Sequence, residues 1–219
     1  MKTYLLLFFT AIFSTNGILA EDKKAYFAGG CFWCIESPFE KIPGVTKAIS
    51  GFSGGDLENP KYKDVAYGRT KHIEAVEIHY DSKKISYGQL VKSFWRMFDP
   101  TDSGGSFFDR GHQYSSAIFI QNENEKKIAE ASKIELGKSG IFKKKIVTPI
   151  VTFKKFYAAE DYHQDYYLKE PVKYMRYRVG SGREKYIKNT WGRIDAYILD
   201  EIKSKKKIKS AAKFSKPAD

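Results

Sequence analysis

The chain has 219 residues, of which 42% are hydrophobic and 16% aromatic, and this length predicts one domain or at most two. Each buried aromatic side chain removes about 150–250 Å² from water, so the composition supports a substantial core and excludes a fold that depends on disulfide bonds. The net charge is +12, but no nucleic-acid-binding motif accompanies the basic residues, and the sequence predicts no nucleic-acid partner.

The first twenty residues differ in composition from the rest of the chain. A lysine precedes an apolar run over residues 4–13, and small and polar residues follow up to Ala20. This order predicts a cleavable signal peptide over residues 1–20, with cleavage after Ala20 or, alternatively, after Gly17. An uncleaved anchor is the competing interpretation, but the run is shorter than the roughly 20 residues that a spanning helix needs. We therefore expect an exported protein, periplasmic or secreted, with no stable membrane span after cleavage.

The hydrophobic pattern of the remaining chain changes between period two, typical of strands, and the helical period. It predicts the following elements in chain order: a strand at 24–28, a helix at 31–41, strands at 45–52 and 73–80, a helix at 86–98, a strand at 116–120, a helix at 122–136, a strand at 146–153 and one or two helical turns at 159–168. Long loops lie at 53–71 and 99–113, and loops of that length inside a compact domain are usually functional. The pattern indicates an α+β or α/β domain over residues 21–180.

Residues 181–219 are predicted to form a C-terminal extension that ends in a lysine-rich tail. From Glu201 to Asp219 there are seven lysines and two acidic residues, which gives a net charge of +5. Such a run at a terminus usually forms a solvated tail, and weak attraction to acidic surfaces is the alternative.

The only two cysteines, Cys31 and Cys34, follow a predicted strand and two glycines and open a predicted helix. Free backbone N–H groups and the helix dipole favour a thiolate at a first helical turn. A second cysteine three residues on can reach the first and resolve the adduct that it forms. The pair therefore predicts thiol-redox catalysis.

Three other interpretations of the pair compete with catalysis. A structural disulfide would stabilise little, because it closes a very small loop. A zinc site would need a second cysteine pair, and the four histidines show no ligand spacing. Two inert buried thiols are the third interpretation, against which the preceding glycines indicate an exposed turn.

Two enzyme classes remain open from the residues alone. A thioredoxin-type disulfide oxidoreductase also places its cysteines between a strand and a helix, and Thr148-Pro149 would supply the proline that faces such a pair. Those sites usually carry Trp before the first cysteine, whereas here Phe32 and Trp33 lie between the two. Two aromatic residues at that point favour an apolar platform for a small oxidised substrate.

The segment Gly29-Gly30-Cys31-Phe32-Trp33 resembles the signature of MsrA-type peptide methionine sulfoxide reductases, in the subgroup with Gly-Cys-Phe-Trp-Cys. The resemblance continues in the same order at residues 62–65, 68–76, 109–118 and 156–166 and covers about residues 24–170. It implies a two-layer α+β sandwich with a ferredoxin-like βαββαβ core, and it makes residues 21–180 the catalytic domain. It also implies reduction of the S epimer of methionine sulfoxide, free or in proteins, by a monomer without metal or bound cofactor.

The resemblance gives roles to eight residues. Cys31 is the expected nucleophile, and Phe32 and Trp33 form the pocket for the substrate methyl group. Glu74 is the expected acid, which must be neutral near pH 7 and therefore buried, because an exposed Glu has a pKa of about 4.3. Cys34 is expected to resolve the Cys31 sulfenic acid as a disulfide, which a thioredoxin-like dithiol protein then reduces. The expected repair targets are oxidised exported proteins.

Three polar residues are expected around the sulfoxide oxygen: Tyr62, Asp109 and Tyr114. Each has a simpler interpretation, since either tyrosine fits an ordinary core and Asp109 fits a turn. Glu74 likewise fits an outward-facing strand position. The chain departs from many family members in having no C-terminal cysteine, in Lys71 where Gly is frequent and in Pro149 where Glu is frequent.

Overall fold

The computed structural model describes residues 22–192, so the predicted signal peptide and the lysine-rich end of the C-terminal extension lie outside the described residues. The described part contains eight strands and seven α-helices: β1 (Asp22–Gly29), α1 (Trp33–Glu40), β2 (Val45–Ser53), α2 (Tyr62–Ala66), β3 (Ile73–Asp81), α3 (Tyr87–Phe94), β4 (Gly105–Ser106), β5 (Asp109–Arg110), β6 (Ser116–Ile120), α4 (Glu123–Lys138), β7 (Ile150–Thr152), β8 (Phe156–Ala158), α5 (Tyr166–Lys169), α6 (Pro171–Gly180) and α7 (Arg183–Trp191). Short 3₁₀ turns lie at His112–Tyr114 and Asp161–His163.

Six strands form one sheet in the order β7-β6-β1-β3-β2-β8. All neighbours in it are antiparallel except β6 and β7, which are parallel. Strands β4 and β5 form a separate hairpin. The sheet is mostly antiparallel and its helices are not simple crossovers between parallel strands, so the fold is α+β, as predicted.

Successive residues of a strand point to opposite faces of the sheet, and both faces of the central strands are covered. Phe27, Val76 and Ile78 pack with apolar residues of α1, α3 and α4 in the main hydrophobic cluster. Tyr26 points to the opposite face and belongs to a smaller cluster. Glu74 shares its face with Val76 and Ile78, so the alternation of β3 directs this carboxyl group towards α1.

The longer helices begin where the sequence provides caps. The hydroxyl of Ser86 accepts a hydrogen bond from the backbone N–H of Gln89 at 3.3 Å, and the Gln89 side chain accepts from the N–H of Ser86 at 2.8 Å. In the same way, the Asn122 side chain accepts from the N–H of Glu125 at 2.9 Å at the start of α4. These contacts satisfy backbone donors that have no partner within the helix.

Helices α5 and α6 lie against the first turn of α1, and α7 contacts the end of β1 that precedes it. Tyr174 of α6 is 4% exposed and packs with Cys31 and Cys34. Arg183, the first residue of α7, is fully buried and donates to the carbonyl oxygen of Gly29 at 3.2 Å. The predicted boundary after residue 180 stays a prediction, but α7 lies beyond it and contacts the turn before the cysteines. Within residues 22–192, no helix combines the length and the apolar character needed to cross a membrane.

Candidate active site

Seven of the eight predicted site residues line one small cavity of about 110 Å³: Cys31, Phe32, Trp33, Tyr62, Glu74, Asp109 and Tyr114. An eighth lining residue, Tyr177 of α6, was not predicted. The cavity brings together parts of the chain that are far apart in sequence: the start of α1, the start of α2, the first half of β3, the β5 strand and the 3₁₀ turn that follows it. The eighth predicted residue, Cys34, lies behind Cys31 and is fully buried.

The turn between β1 and α1 sets the position of the cysteines. Gly30 has φ +89°, and a Cβ atom there would lie 2.2 Å from Cβ of Ser106. Only glycine fits this close approach and this left-handed backbone. The turn leaves Cys31 5% exposed at the cavity, and the backbone N–H of Cys34 donates to the carbonyl oxygen of Cys31 at 3.0 Å.

The two thiols hydrogen-bond to each other, and their pKa values shift in opposite directions. Burial raises the pKa of Cys31 well above its ordinary value, and the neighbouring Cys34 and Glu74 add to this rise. The hydrogen bond from Cys31, together with the positive charges of Arg183 and Arg178, lowers the pKa of Cys34 to about 7 against the effect of burial. Ionisation of the pair is therefore favoured at Cys34 over Cys31.

This charge distribution differs from the expectation that the helix start would favour a Cys31 thiolate. The helix begins at Trp33, and Phe32 is its N-cap residue, so Cys31 precedes the first turn. The backbone N–H of Phe32 donates to Oε2 of Glu74 at 2.9 Å. One of the free backbone N–H groups at the helix start is therefore bound to the Glu74 carboxyl group.

Glu74 is only 2% exposed, so the interpretation as an outward-facing strand residue is wrong. Burial, with smaller contributions from the nearby Asp109 and Cys34, raises the pKa of Glu74 to about 8, although the Phe32 N–H and the Arg183 charge oppose the rise. A carboxyl group with this pKa is mostly protonated at pH 7. The protonated carboxyl group can donate a proton. The backbone N–H that holds it belongs to Phe32, which lies 42 positions earlier in the chain.

The aromatic residues of the cavity are held by stacking. Phe32 is 1% exposed, with its ring 5.1 Å from His163 and 6.3 Å from Tyr62 between ring centres. Trp33 is half-buried and stacks on Tyr166 with the ring centres 3.9 Å apart and an interplanar angle of 8°. Phe32 is thus packed into the core, while Trp33 presents a fixed apolar surface at the cavity.

Three polar residues lie opposite the aromatic ones, and the pKa of each is raised. Burial raises the pKa values of Tyr62 and Tyr114, and Glu74 adds to the rise, so both hydroxyls are neutral donors. Burial also raises the pKa of Asp109, although the hydroxyl of Tyr177 donates a hydrogen bond to its carboxyl group and opposes the rise. The structure brings all three predicted polar residues to the cavity.

The comparisons with known proteins agree with this arrangement. The family model described as peptide methionine sulfoxide reductase matches residues 23–195. The chain belongs to the peptide methionine sulfoxide reductase family. It is therefore an oxidoreductase, and the predicted family is confirmed.

Individual members of this family are similar over most of their length. The chain is 50% identical over 176 residues to the peptide methionine sulfoxide reductase MsrA of Bacillus licheniformis, which covers 80% of this chain and 97% of that protein. The crystal structure of Mxr1 from Saccharomyces cerevisiae in reduced form has a TM-score of 0.63 and 32% identity, covering 69% of this chain and 87% of that chain. Methionine sulfoxide reductase A of Corynebacterium diphtheriae has a TM-score of 0.61 and 33% identity, covering 69% of this chain and 76% of that chain.

Several residues at the site of this family member were not predicted from the sequence. They are His163, Tyr166, Tyr174, Tyr177, Arg178 and Arg183. The resemblance ended near residue 170, so it carried no information on α6 and α7. The one local signal was the helical spacing of Tyr174 and Arg178, which are four residues apart on the buried side of α6.

One acidic group among the described residues offers oxygen ligands close together: Glu36, Glu40 and Asp165. Their hydrogen-bonding capacity is used within the fold. Glu36 accepts from the Ser50 hydroxyl and from the N–H of Asp165, both at 2.9 Å, and Glu40 accepts from the Tyr167 hydroxyl at 2.7 Å. We regard the group as a structural network that joins α1 to α5.

Proposed function

We propose that the protein reduces the S epimer of methionine sulfoxide, free or within proteins, to methionine, with Cys31 as the nucleophile. The observation that carries this proposal is the buried acid Glu74, protonated near pH 7, in the same cavity as Cys31 and Trp33. A sulfoxide sulfur is a poor electrophile unless its oxygen is protonated as it leaves. A neutral carboxylic acid beside a thiol supplies both groups that the reaction needs.

The substrate is proposed to bind with its S-methyl group against Trp33 and Phe32 and its oxygen towards Glu74, Tyr62 and Tyr114. The tyrosine hydroxyls donate hydrogen bonds to the oxygen as negative charge develops there. Cys31 attacks the sulfur and forms an S–S bond, while Glu74 protonates the oxygen and takes up the proton of the Cys31 thiol. The hydroxyl group then passes to the Cys31 sulfur as its bond to the substrate sulfur and the S–S bond break. The products are methionine and a Cys31 sulfenic acid.

The cycle is proposed to continue when Cys34 attacks the sulfenic acid, releases water and forms the Cys31–Cys34 disulfide. Because Cys31 reaches the cavity and Cys34 is fully buried, an external thiolate attacks the Cys31 sulfur. Cys34 then leaves, and its lowered pKa makes it the better leaving group. We propose a thioredoxin-like dithiol protein as the electron donor. We also propose that the active form is a monomer, which light scattering coupled to size-exclusion chromatography tests.

We propose that the fold contains the ferredoxin-like βαββαβ core. The support is the order β6-β1-β3-β2, in which all neighbours are antiparallel, with α1 after β1 and α3 after β3. A crystal structure of the full chain tests this assignment, and a different strand order would contradict it.

Turnover of separated sulfoxide epimers with dithiothreitol tests the proposed function. We expect methionine from the S epimer, almost none from the R epimer, and none from either with the Cys31→Ser variant as the control. Insulin reduction is measured beside it, because a disulfide oxidoreductase is the alternative class. Fast insulin reduction without turnover of either epimer would overturn the proposal.

A further inference from the structure

Two buried arginines from the C-terminal helices contact the segment that carries the cysteines. Arg178 of α6 is 7% exposed and lies 3.4 Å from the carbonyl oxygen of Cys34. Arg183 of α7 is fully buried and lies 3.2 Å from the carbonyl oxygen of Gly29. Arginine is almost never buried unless a partner compensates its charge. Two such residues at one cysteine pair therefore call for an electrostatic explanation.

The described hydrogen bonds of Arg183 go only to uncharged acceptors. Its Nη1 atom donates to the carbonyl oxygens of Gly29 at 3.2 Å and Met97 at 2.8 Å, and Nη2 donates to the Ser106 hydroxyl at 3.1 Å. The guanidinium carbon lies 4.7 Å from the centre of the Phe107 ring. These contacts fix the group in place, and no carboxylate within residues 22–192 contacts it.

Arg178 has one carboxylate partner, which is half exposed to solvent. Its Nε atom lies 2.6 Å from Oε2 of Glu184, whose side chain is 48% exposed. Its Nη1 atom faces inward, 3.2 Å from the Tyr174 hydroxyl and 3.4 Å from the carbonyl oxygen of Cys34. Because solvent screens an exposed charge more than a buried one, Glu184 offsets the field of Arg178 at the cysteine only in part.

The other groups around Cys34 do not supply a positive charge. Cys31 donates a hydrogen bond to it, and Tyr174 and Tyr177 are neutral. Glu74 is protonated near pH 7, and Asp109 acts in the opposite direction by raising the Cys34 pKa. Among the described groups, the two arginines are therefore the cations that favour a charged Cys34.

We propose that Arg178 and Arg183 are positioning residues that keep Cys34 as a thiolate, ready to attack the Cys31 sulfenic acid. The inference rests on the proposed function, in which Cys34 is the resolving cysteine. In this step the Cys34 thiolate forms the S–S bond, the S–O bond of Cys31 breaks, and the hydroxide that leaves takes one proton from solvent to become water. Helices α6 and α7 thereby act on the half of the reaction that follows methionine release.

The first test measures the charge of Cys34 without catalysis. In Cys31→Ser the only remaining cysteine is Cys34, whose ionisation is followed by thiolate ultraviolet absorbance. The midpoint of Cys31→Ser is the reference value, because this variant already replaces the thiol whose hydrogen bond lowers the pKa of Cys34. Adding Arg178→Met should raise this midpoint by about one unit, the smaller end of the usual effect of an adjacent opposite charge. Arg178→Lys, which keeps the charge, should leave it nearly unchanged.

Arg176→Met is the matched control, because Arg176 is exposed on the same helix and should not move the midpoint. A midpoint that Arg178→Met leaves unchanged in the folded Cys31→Ser background would overturn the inference. Equal shifts in Arg178→Met and Arg178→Lys would also overturn it, since they would indicate a structural role.

The second test separates the two halves of the reaction in a single turnover. Arg178→Met should still release one equivalent of methionine. Its sulfenic acid, seen as a mass gain of one oxygen, should convert to the disulfide about tenfold more slowly near pH 7 and recover at alkaline pH, because Cys34 must then lose its proton to solvent. A wild-type enzyme that forms no methionine would refute the proposed function, whereas normal disulfide formation in Arg178→Met would refute only the arginine inference.

Discussion

At the scale of single residues, the environment of Glu74 decides what the cavity can do. The strand alternation of β3 left two orientations open, and sequence reasoning could not choose between them because both faces of β3 are buried. The hydrogen bond from the Phe32 N–H brings the carboxyl group to the start of α1. Its role as the acid was taken from the resemblance to a family and stays a prediction.

Replacing Glu74 with glutamine tests that role. Glu74→Gln should lower the rate of methionine formation in a single turnover by roughly 10²–10⁴-fold, the usual weight of general acid catalysis. Glu77→Gln is the control, because Glu77 lies on the same strand but on the opposite face, paired with Lys24. A rate in Glu74→Gln equal to that of Glu77→Gln would leave Glu74 without a catalytic role.

The protonation of Glu74 can be measured directly. The infrared band of a protonated carboxyl group, taken as the difference between wild type and Glu74→Gln, should be present at pH 7 and disappear with a midpoint near 8, because burial raises the pKa of this group to about 8. The sign follows from the raised pKa, since the proton is held below the midpoint and lost above it. A midpoint near the ordinary value of about 4.3 would contradict a buried neutral acid.

The sequence patterns did not predict that two arginines of this site are buried. Hydrophobic patterning treats Arg178 and Arg183 as solvent-exposed, because arginine is rarely buried. Their burial follows from tertiary contacts with the turn after β1 and with Cys34, which no local pattern contains. The helix that carries the cysteines also begins two residues later than predicted, so Cys31 precedes its first turn.

At the scale of elements, the strands of the sheet centre were predictable and the C-terminal helices were not. The strands predicted at 24–28, 45–52, 73–80 and 116–120 are confirmed, because each has a clear period of two or an apolar run. The strand predicted at 146–153 is reduced to β7, and β8 was missed. Helix α6 was missed because its buried residues include Tyr174 and Arg178, while its aliphatic residues are exposed.

The turn between β1 and α1 offers a stability prediction. Gly30→Ala should destabilise the fold more than Gly140→Ala, although both glycines have a positive φ. A Cβ atom at Gly30 would overlap Ser106 at 2.2 Å, whereas nothing lies within 4 Å of one at Gly140. The shared backbone strain costs about 1–2 kcal/mol, and the overlap should add about 1–3 kcal/mol. Equal losses in urea unfolding would contradict the close approach at Gly30.

At the scale of the whole molecule, the α+β class followed from the order of the predicted elements and is confirmed. The division of the chain at residue 180 was based on the sequence pattern and on the extent of the resemblance. The family match extends to residue 195, and α7 places Arg183 against the turn that holds the cysteines. A domain boundary that depends on such a tertiary contact cannot be predicted from the amino-acid composition.

The location of the protein is a prediction from residues 1–20. If the signal peptide is cleaved, protein from the cell envelope should begin at Glu21, or at Ile18 if cleavage follows Gly17. Intact-mass measurement distinguishes these species. A full-length protein found in the cytoplasm would contradict export, and with it the proposed repair of exported proteins.

The most direct test of the proposed reaction is a single turnover of the Cys34→Ser variant with the S epimer. Because Cys31 performs the attack on the sulfoxide, we expect one equivalent of methionine per enzyme in a single burst. The enzyme should then stop as a Cys31 sulfenic acid, which dimedone labels, and turnover with a thioredoxin-like donor should be lost. Absence of the methionine burst in a folded Cys34→Ser variant, or an equal burst from Cys31→Ser, would contradict the account.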